Sequence, residues 1–187
     1  MSDIEIIRSL FHRDAYLPII KQPSGKPYVK LVEESCDDSS VVLRNLPEDT
    51  VIVKLDSRFR NDNIFSGSHE ECSRCDYMIF FNKKNMLNVV YVELKRSGHD
   101  GHKIEAQLRG GRVFMKYCQE LVRAFLKENS FMAQCSESFI AFGETQGARK
   151  NPTRYNRDRG KNSSPDKFMK ISYPNTKGVS LEHFLAK

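Results

Sequence analysis

Apolar positions near the start of the chain recur at helical spacing. Ile6, Ile7, Leu10 and Phe11 predict a short helix over residues 3–12, with Ser2 or Asp3 as its cap. Residues 22–27, Gln-Pro-Ser-Gly-Lys-Pro, read as a turn. Strands are expected at 28–32 and 40–43, a turn at 45–49, and a strand at 50–55, where TVIVKL alternates. Residues 57–74 are polar and read as a long loop, uncommon in compact domains unless the loop has a job. Two apolar stretches follow, CDYMIFF at 75–81 and LNVVYVELK at 87–95, joined by a turn over 82–86. Residues 97–101 break the chain, and 103–128 predicts a long helix with Ile104, Leu108, Met115, Leu121, Val122 and Phe125 on its core face. Gly110-Gly111 lies within that helix. Each glycine costs about 1 kcal/mol against alanine there, which points to close approach of another backbone or of a substrate. A strand at 138–142, another at 168–173 and a short helix at 180–186 complete the chain. Alternating strands and helices make the class α/β or α+β, and 187 residues suit a single domain, 1–187.

The pair of apolar stretches carries candidate chemistry. Residues two apart in a strand share a face, so Glu93 and Lys95 point with Leu87, Val89 and Tyr91. A hairpin centred on Lys84-Asn85 sets Phe81 opposite Asn88 and Asp76 opposite Glu93. Directly opposed residues lie about 4.5–5.5 Å apart at Cβ, and bare like charges there are destabilising. A divalent cation on oxygen ligands offsets that repulsion. Asp76 and Glu93 are therefore the candidate metal ligands, with the Leu94 carbonyl as a third oxygen. Mg²⁺ or Mn²⁺ held there activates water and stabilises charge on a phosphate. Lys95 stands where it would orient or deprotonate the attacking water. Nucleic-acid phosphodiester hydrolysis fits these parts.

The string CDYMIFF, a turn, VVYVELKRS and then HKIEAQLRGG resembles the PD-(D/E)xK nuclease superfamily. In that superfamily an Asp starts one strand, Glu-x-Lys ends the next, and a helix carrying a Gln follows. The likeness spans residues 50–142 in element order. Its specific motifs are residues 75–76, 93–95 and 104–108, and Cys75 stands where the name-giving Pro would be. It implies a restriction-endonuclease-like core, a mixed β-sheet flanked by α-helices, with Mg²⁺ or Mn²⁺ dependence. Asp76, Glu93 and Lys95 carry over as catalytic residues. Gln107 matches the helical Gln that holds the lysine or the substrate in several branches. Some members add an N-terminal acid, for which Glu5, Glu33 and Glu34 are the candidates.

Charge adds a partner. The net charge is +6, and Arg149, Lys150, Arg154, Arg157, Arg159 and Lys161 cluster against the single acid Asp158. Such cations neutralise phosphates and Tyr155 can stack on a base, so this stretch is the expected nucleic-acid-binding segment, with DNA the favoured substrate. Five cysteines (Cys36, Cys72, Cys75, Cys118, Cys135) give no disulfide framework, and a reducing cytoplasm is expected. No apolar run is long enough for a membrane span. His69-x-x-Cys72-x-x-Cys75 has zinc-like spacing but lacks a second ligand pair unless Cys36 or Cys118 joins it. Without a separate specificity domain, targeting would come from a homodimer or a partner protein. The leading expectation is a DNA endonuclease of a prokaryotic or phage restriction, defence or repair system. The competing one is a non-catalytic nucleic-acid- or protein-binding module that retains the fold.

Overall fold

The computed structural model describes residues 1–21, 25–33, 40–55, 62–95, 100–143, 162–172 and 178–185. In chain order they form α1 (Asp3–Leu10), β1 (Tyr28–Val32), β2 (Ser40–Arg44), β3 (Val51–Lys54), β4 (Tyr77–Lys83), β5 (Met86–Lys95), α2 (Gly101–Leu121), β6 (Cys135–Gly143), β7 (Met169–Ser172) and β8 (Val179–Ser180). The class is mixed α/β. β3-β4-β5-β6-β7 form a five-stranded mixed sheet, and β1-β2-β8 a three-stranded one.

The hairpin expected around Lys84-Asn85 forms. Both residues sit at positive φ (53° and 61°), as a tight primed turn between right-twisted strands requires. Its register pairs Phe81 with Asn88, Tyr77 with Val92 and Lys83 with Met86. β5 then runs parallel to β6, and β6 parallel to β7. This places β5 in the sheet interior, which explains its unbroken apolar run: every residue from Leu87 to Leu94 is buried.

The sheet's two faces are covered differently. Val51, Val53, Met78, Phe80, Val89 and Tyr91 meet α1 and α2 through Ile4, Ile7, Ile104, Leu108 and Met115. Ile79, Val90, Val92, Leu94 and Phe142 meet Val29, Leu31, Val41 and Leu43 of the small sheet, plus Phe184 of the terminal turn. Of the expected mixed sheet flanked by α-helices, the mixed sheet forms and its α-helices lie on one face, with the small sheet on the other. The alternating burial of β1 and β2 gives each an apolar side that can only be hidden against the large sheet.

α1 carries a full capping box: the Ser2 hydroxyl accepts from the Glu5 N–H, and the Glu5 carboxylate accepts from the Ser2 N–H. Asp100 caps α2 by accepting from His102 N–H at 3.1 Å. α2 ends earlier than the apolar pattern suggests. From Val122 to Leu126 it becomes a π-helical turn closed by Lys127 at φ 62°. The change to i→i+5 bonding rotates later residues off the core-facing line, and Phe125, expected in the core, is 78% exposed. The terminal segment forms a single 3₁₀ turn, Leu181–Phe184, preceded by β8, rather than an α-helix.

Gly110 and Gly111 mark a close approach. A Cβ on Gly110 would run into the Ser73 carbonyl, and one on Gly111 into the Cys75 sulfur and the Tyr91 ring. The helix thus lies directly on the backbone that leads into β4. It is fixed further along by a part-buried polar link. Tyr91 donates to Glu137 Oε1 at 2.9 Å, and Arg112 pairs with Glu137 Oε2 at 2.8 Å. Tyr91 also stacks on Phe139 with centroids 4.7 Å apart.

Candidate active site

β4 begins at Tyr77, two residues later than its apolar stretch predicts. The reason lies at Asp76. The Leu94 N–H, which points towards β4, is met by the Asp76 side chain rather than by β4 backbone, with Oδ2 accepting at 2.6 Å. The Asp76 carbonyl turns the other way and accepts from Leu55 N–H of the segment that continues β3. Asp76 is thus held between two strands as they part.

Glu93 has the strand parity of Val89 and Tyr91 and so belongs to the helix-covered face, whereas Asp76 precedes β4 and is placed by its bond to the Leu94 N–H. The backbone register ends at the pair of Tyr77 with Val92, one position short of the pairing of Asp76 with Glu93 that the sequence predicts. Glu93 is 0% exposed and Asp76 8%. Lys95, at the end of the same strand, reaches back to put Nζ 2.6 Å from Glu93 Oε1. Partial burial alone would lower the Lys95 ammonium. The charge and hydrogen bond of Glu93, with Asp76 and Glu33 behind it, carry it above the ordinary lysine value. The Cys75 thiol is pushed well up, by burial first and then by the nearby Glu93 and Asp76 charges.

This donor set suits a hard cation. The Asp76 and Glu93 carboxylates both lie at the end of β5, Asp76 on the Leu94 N–H and Glu93 on Lys95. The N–H and C=O of a strand residue point the same way, so the Leu94 carbonyl points to the β4 side, where Asp76 lies. Among the described residues no three His, Cys, Asp or Glu side chains gather as a ready-made metal cage. The zinc reading of His69, Cys72 and Cys75 therefore has no geometry behind it. Cys75 is buried under α2 with its sulfur towards the Tyr77 carbonyl, and Cys72 turns its own to the Phe65 carbonyl. Cys72, Cys75, Cys118 and Cys135 are all free thiols.

Of the candidate additional acids, Glu5 is spent on the α1 cap, and Glu34 lies outside the described residues. Glu33 does act on Lys95. The device that brings it there escaped sequence reading. The buried Tyr77 hydroxyl donates to the Val32 carbonyl at 2.5 Å and accepts from the Val32 N–H at 3.1 Å, pinning the end of β1 to the start of β4. Nothing in the pattern marks Tyr77 out, since a buried tyrosine in an apolar strand reads as a core residue. Gln107 is half-buried on α2, and its side-chain oxygen is buried with no hydrogen-bond partner among the described residues.

Arg149, Lys150, Arg154, Tyr155, Arg157 and Arg159 lie outside the described residues. The described chain stops at Gly143, the register partner of Lys95, and resumes at Asn162, whose carbonyl accepts from Phe139 N–H at 2.9 Å. No described helix is long and apolar enough to cross a membrane. Comparisons with models of known families, with curated proteins and with solved structures find no match.

Proposed function

We propose that this chain is a metal-dependent nuclease of the PD-(D/E)xK, restriction-endonuclease-like kind, acting on DNA. One observation carries the reading: the Asp76 carboxylate accepts from the N–H of Leu94, the residue between Glu93 and Lys95, and the Lys95 ammonium stands 2.6 Å from Glu93. The Asp76 and Glu93 carboxylates and the Leu94 carbonyl would hold Mg²⁺ or Mn²⁺, which when bound stabilises charge on the phosphate and makes water a nucleophile near neutral pH. The Leu94 N–H fixes the orientation of Asp76 through Oδ2. Lys95 orients the attacking water and stabilises negative charge that builds on the phosphate oxygens. Gln107 supports the lysine or the substrate from α2, and the 149–159 cations bind the nucleic-acid backbone. A homodimer or a partner protein supplies targeting.

The test is incubation of the protein with single-stranded, double-stranded and branched DNA and with RNA, each with Mg²⁺, Mn²⁺ or EDTA, alongside Asp76→Asn and Glu93→Gln. Metal-dependent cleavage lost in both variants is the expected result. Equal cleavage by wild type and Glu93→Gln would mark the activity as a contaminant. One feature favours a second reading, a binding module that keeps the fold without the chemistry: Glu93 is fully buried and already holds Lys95. That reading predicts nucleic-acid binding with no cleavage under any metal.

A further inference from the structure

We infer that Lys170 is a substrate-positioning residue that grips the phosphodiester next to the one being cut; this rests on the nuclease reading. The sheet register carries the inference. Glu93 pairs with Ala141 of β6, and Ala141 with Lys170 of β7. Directly paired residues point to one face, so Lys170 lies level with Glu93, on the same side, two strands away. At 4.7–4.9 Å per strand the two Cα atoms are about 9–10 Å apart. Ala141 is the residue between them, so β6 puts nothing longer than a methyl group into that row.

The lysine is exposed, and its Nζ lies 5.2 Å from the Phe168 ring centroid. Nζ also lies 3.6 Å from where Gly101 would carry a Cβ, which puts it at the first turn of α2, the end of the sheet where β5 finishes. Its commitments differ from those of several other cations in the molecule. Lys83, Arg109, Arg112 and Arg123 each pair with a carboxylate. Lys170 forms no ion pair with a carboxylate among the described residues. An ammonium held on an aromatic ring, without an acidic partner, at the level of two acids and a second lysine, matches a polyanion running across the strand ends. Lys95, with the cation that Asp76 and Glu93 would hold, takes the scissile phosphate, and Lys170 takes its neighbour on the β7 side.

The experiment uses the nucleic acid that the wild type cuts, in versions bearing one uncharged methylphosphonate at each position flanking the cut. In the wild type, one flanking position should raise KM on neutralisation. In Lys170→Ala that position should lose its effect, with KM already raised about threefold to tenfold, the range for one exposed charge-assisted contact. The salt slope of binding to duplex should fall by about 0.9. kcat should stay near wild type, and Lys170→Arg should restore KM and the position effect. Identical methylphosphonate profiles in wild type and Lys170→Ala would overturn the role of Lys170 while leaving the nuclease reading intact. Absence of cleavage by the wild type under any metal would instead remove the nuclease reading, and this inference with it.

Discussion

Replacing Lys95 by Met should destabilise the metal-free protein more than a surface change can. Glu93 is fully buried, and the Lys95 ammonium stands 2.6 Å from it, with the lysine side chain 21% exposed. Breaking a buried pair by deleting one partner costs about 3–5 kcal/mol, because a charge is left uncompensated in a poor dielectric. Solvent reaching Lys95 screens part of the attraction and trims this to about 2–4 kcal/mol. For a chain of this size, each kcal/mol shifts Tm by about 2–4 °C, so a drop of roughly 4–16 °C is expected in EDTA. Adding Glu93→Gln to the same protein should recover most of it, since both charges are then gone. Mn²⁺ should also narrow the gap, because a cation on the two carboxylates replaces the missing ammonium, and saturation at 100 times Kd adds about 2.7 kcal/mol. The wild type has a pH signature as well. Lys95 is held above its ordinary 10.5 by Glu93, so its contribution is whole below pH 10.5 and is lost as pH rises through the higher folded value. Lys95→Met should lack that alkaline loss. Melting curves by circular dichroism at several pH values, with EDTA and with Mn²⁺, measure all of this. A Lys95→Met protein that melts with the wild type, or that Glu93→Gln fails to rescue, would refute the buried-pair reasoning.

Asp76→Ala should cost about 1–3 kcal/mol, because it strands the buried Leu94 N–H, whereas Asp76→Asn keeps an acceptor there and should fold normally without binding metal. Calorimetry with Mn²⁺ and thermal melts of both variants check this, and equal stability of the two would count against it. Gly110→Ala should lower stability by about 1–3 kcal/mol despite alanine's better helix propensity, since its methyl meets the Ser73 backbone carbonyl. A Tm at or above wild type would show that the helix can lift away without loss. Cys72 should react with iodoacetamide well before Cys75 or Cys118, whose thiols burial raises, Cys118 to about 12. Mass spectrometry after brief labelling reads the order, and early modification of Cys75 would contradict its placement under α2.

Much of the hairpin was legible because strand physics is local. Alternation sets the face of Glu93 and Lys95, and the Lys84-Asn85 turn sets the register, which holds from the pair of Lys83 with Met86 to the pair of Tyr77 with Val92. The close approach at Gly110 was legible too, since a helix keeps two adjacent glycines at a cost. The rest depended on contacts distant in sequence. Leu94 N–H is capped by a side chain eighteen positions away. Glu33, which adds to the raising of Lys95, follows the end of β1 that Tyr77 clasps at Val32 across forty-five positions. Phe125 misled because a π turn and an α-helix share the same apolar spacing until the phase slips.

The buried acids also bear on how the fold survives without metal. Two carboxylates set on neighbouring strands should repel, yet each has its charge met by a different kind of group. Asp76 has the Leu94 N–H, a backbone dipole that no proton exchange at neutral pH removes, and Glu93 has Lys95, a mobile ammonium. The two differ in what a cation must displace. On the nuclease reading, a cation at Asp76 would leave the hydrogen bond from the Leu94 N–H to Oδ2 in place. At Glu93 the ammonium already holds the carboxylate that a cation would need, so on the nuclease reading Lys95 would swing towards a bound phosphate instead. On the nuclease reading the same lysine would serve in turn as placeholder for the cation and as contact for the substrate. This accounts for Glu and Lys standing two apart on one strand face: adjacent positions would point to opposite faces, and a wider spacing would take the ammonium beyond the carboxylate it must cover.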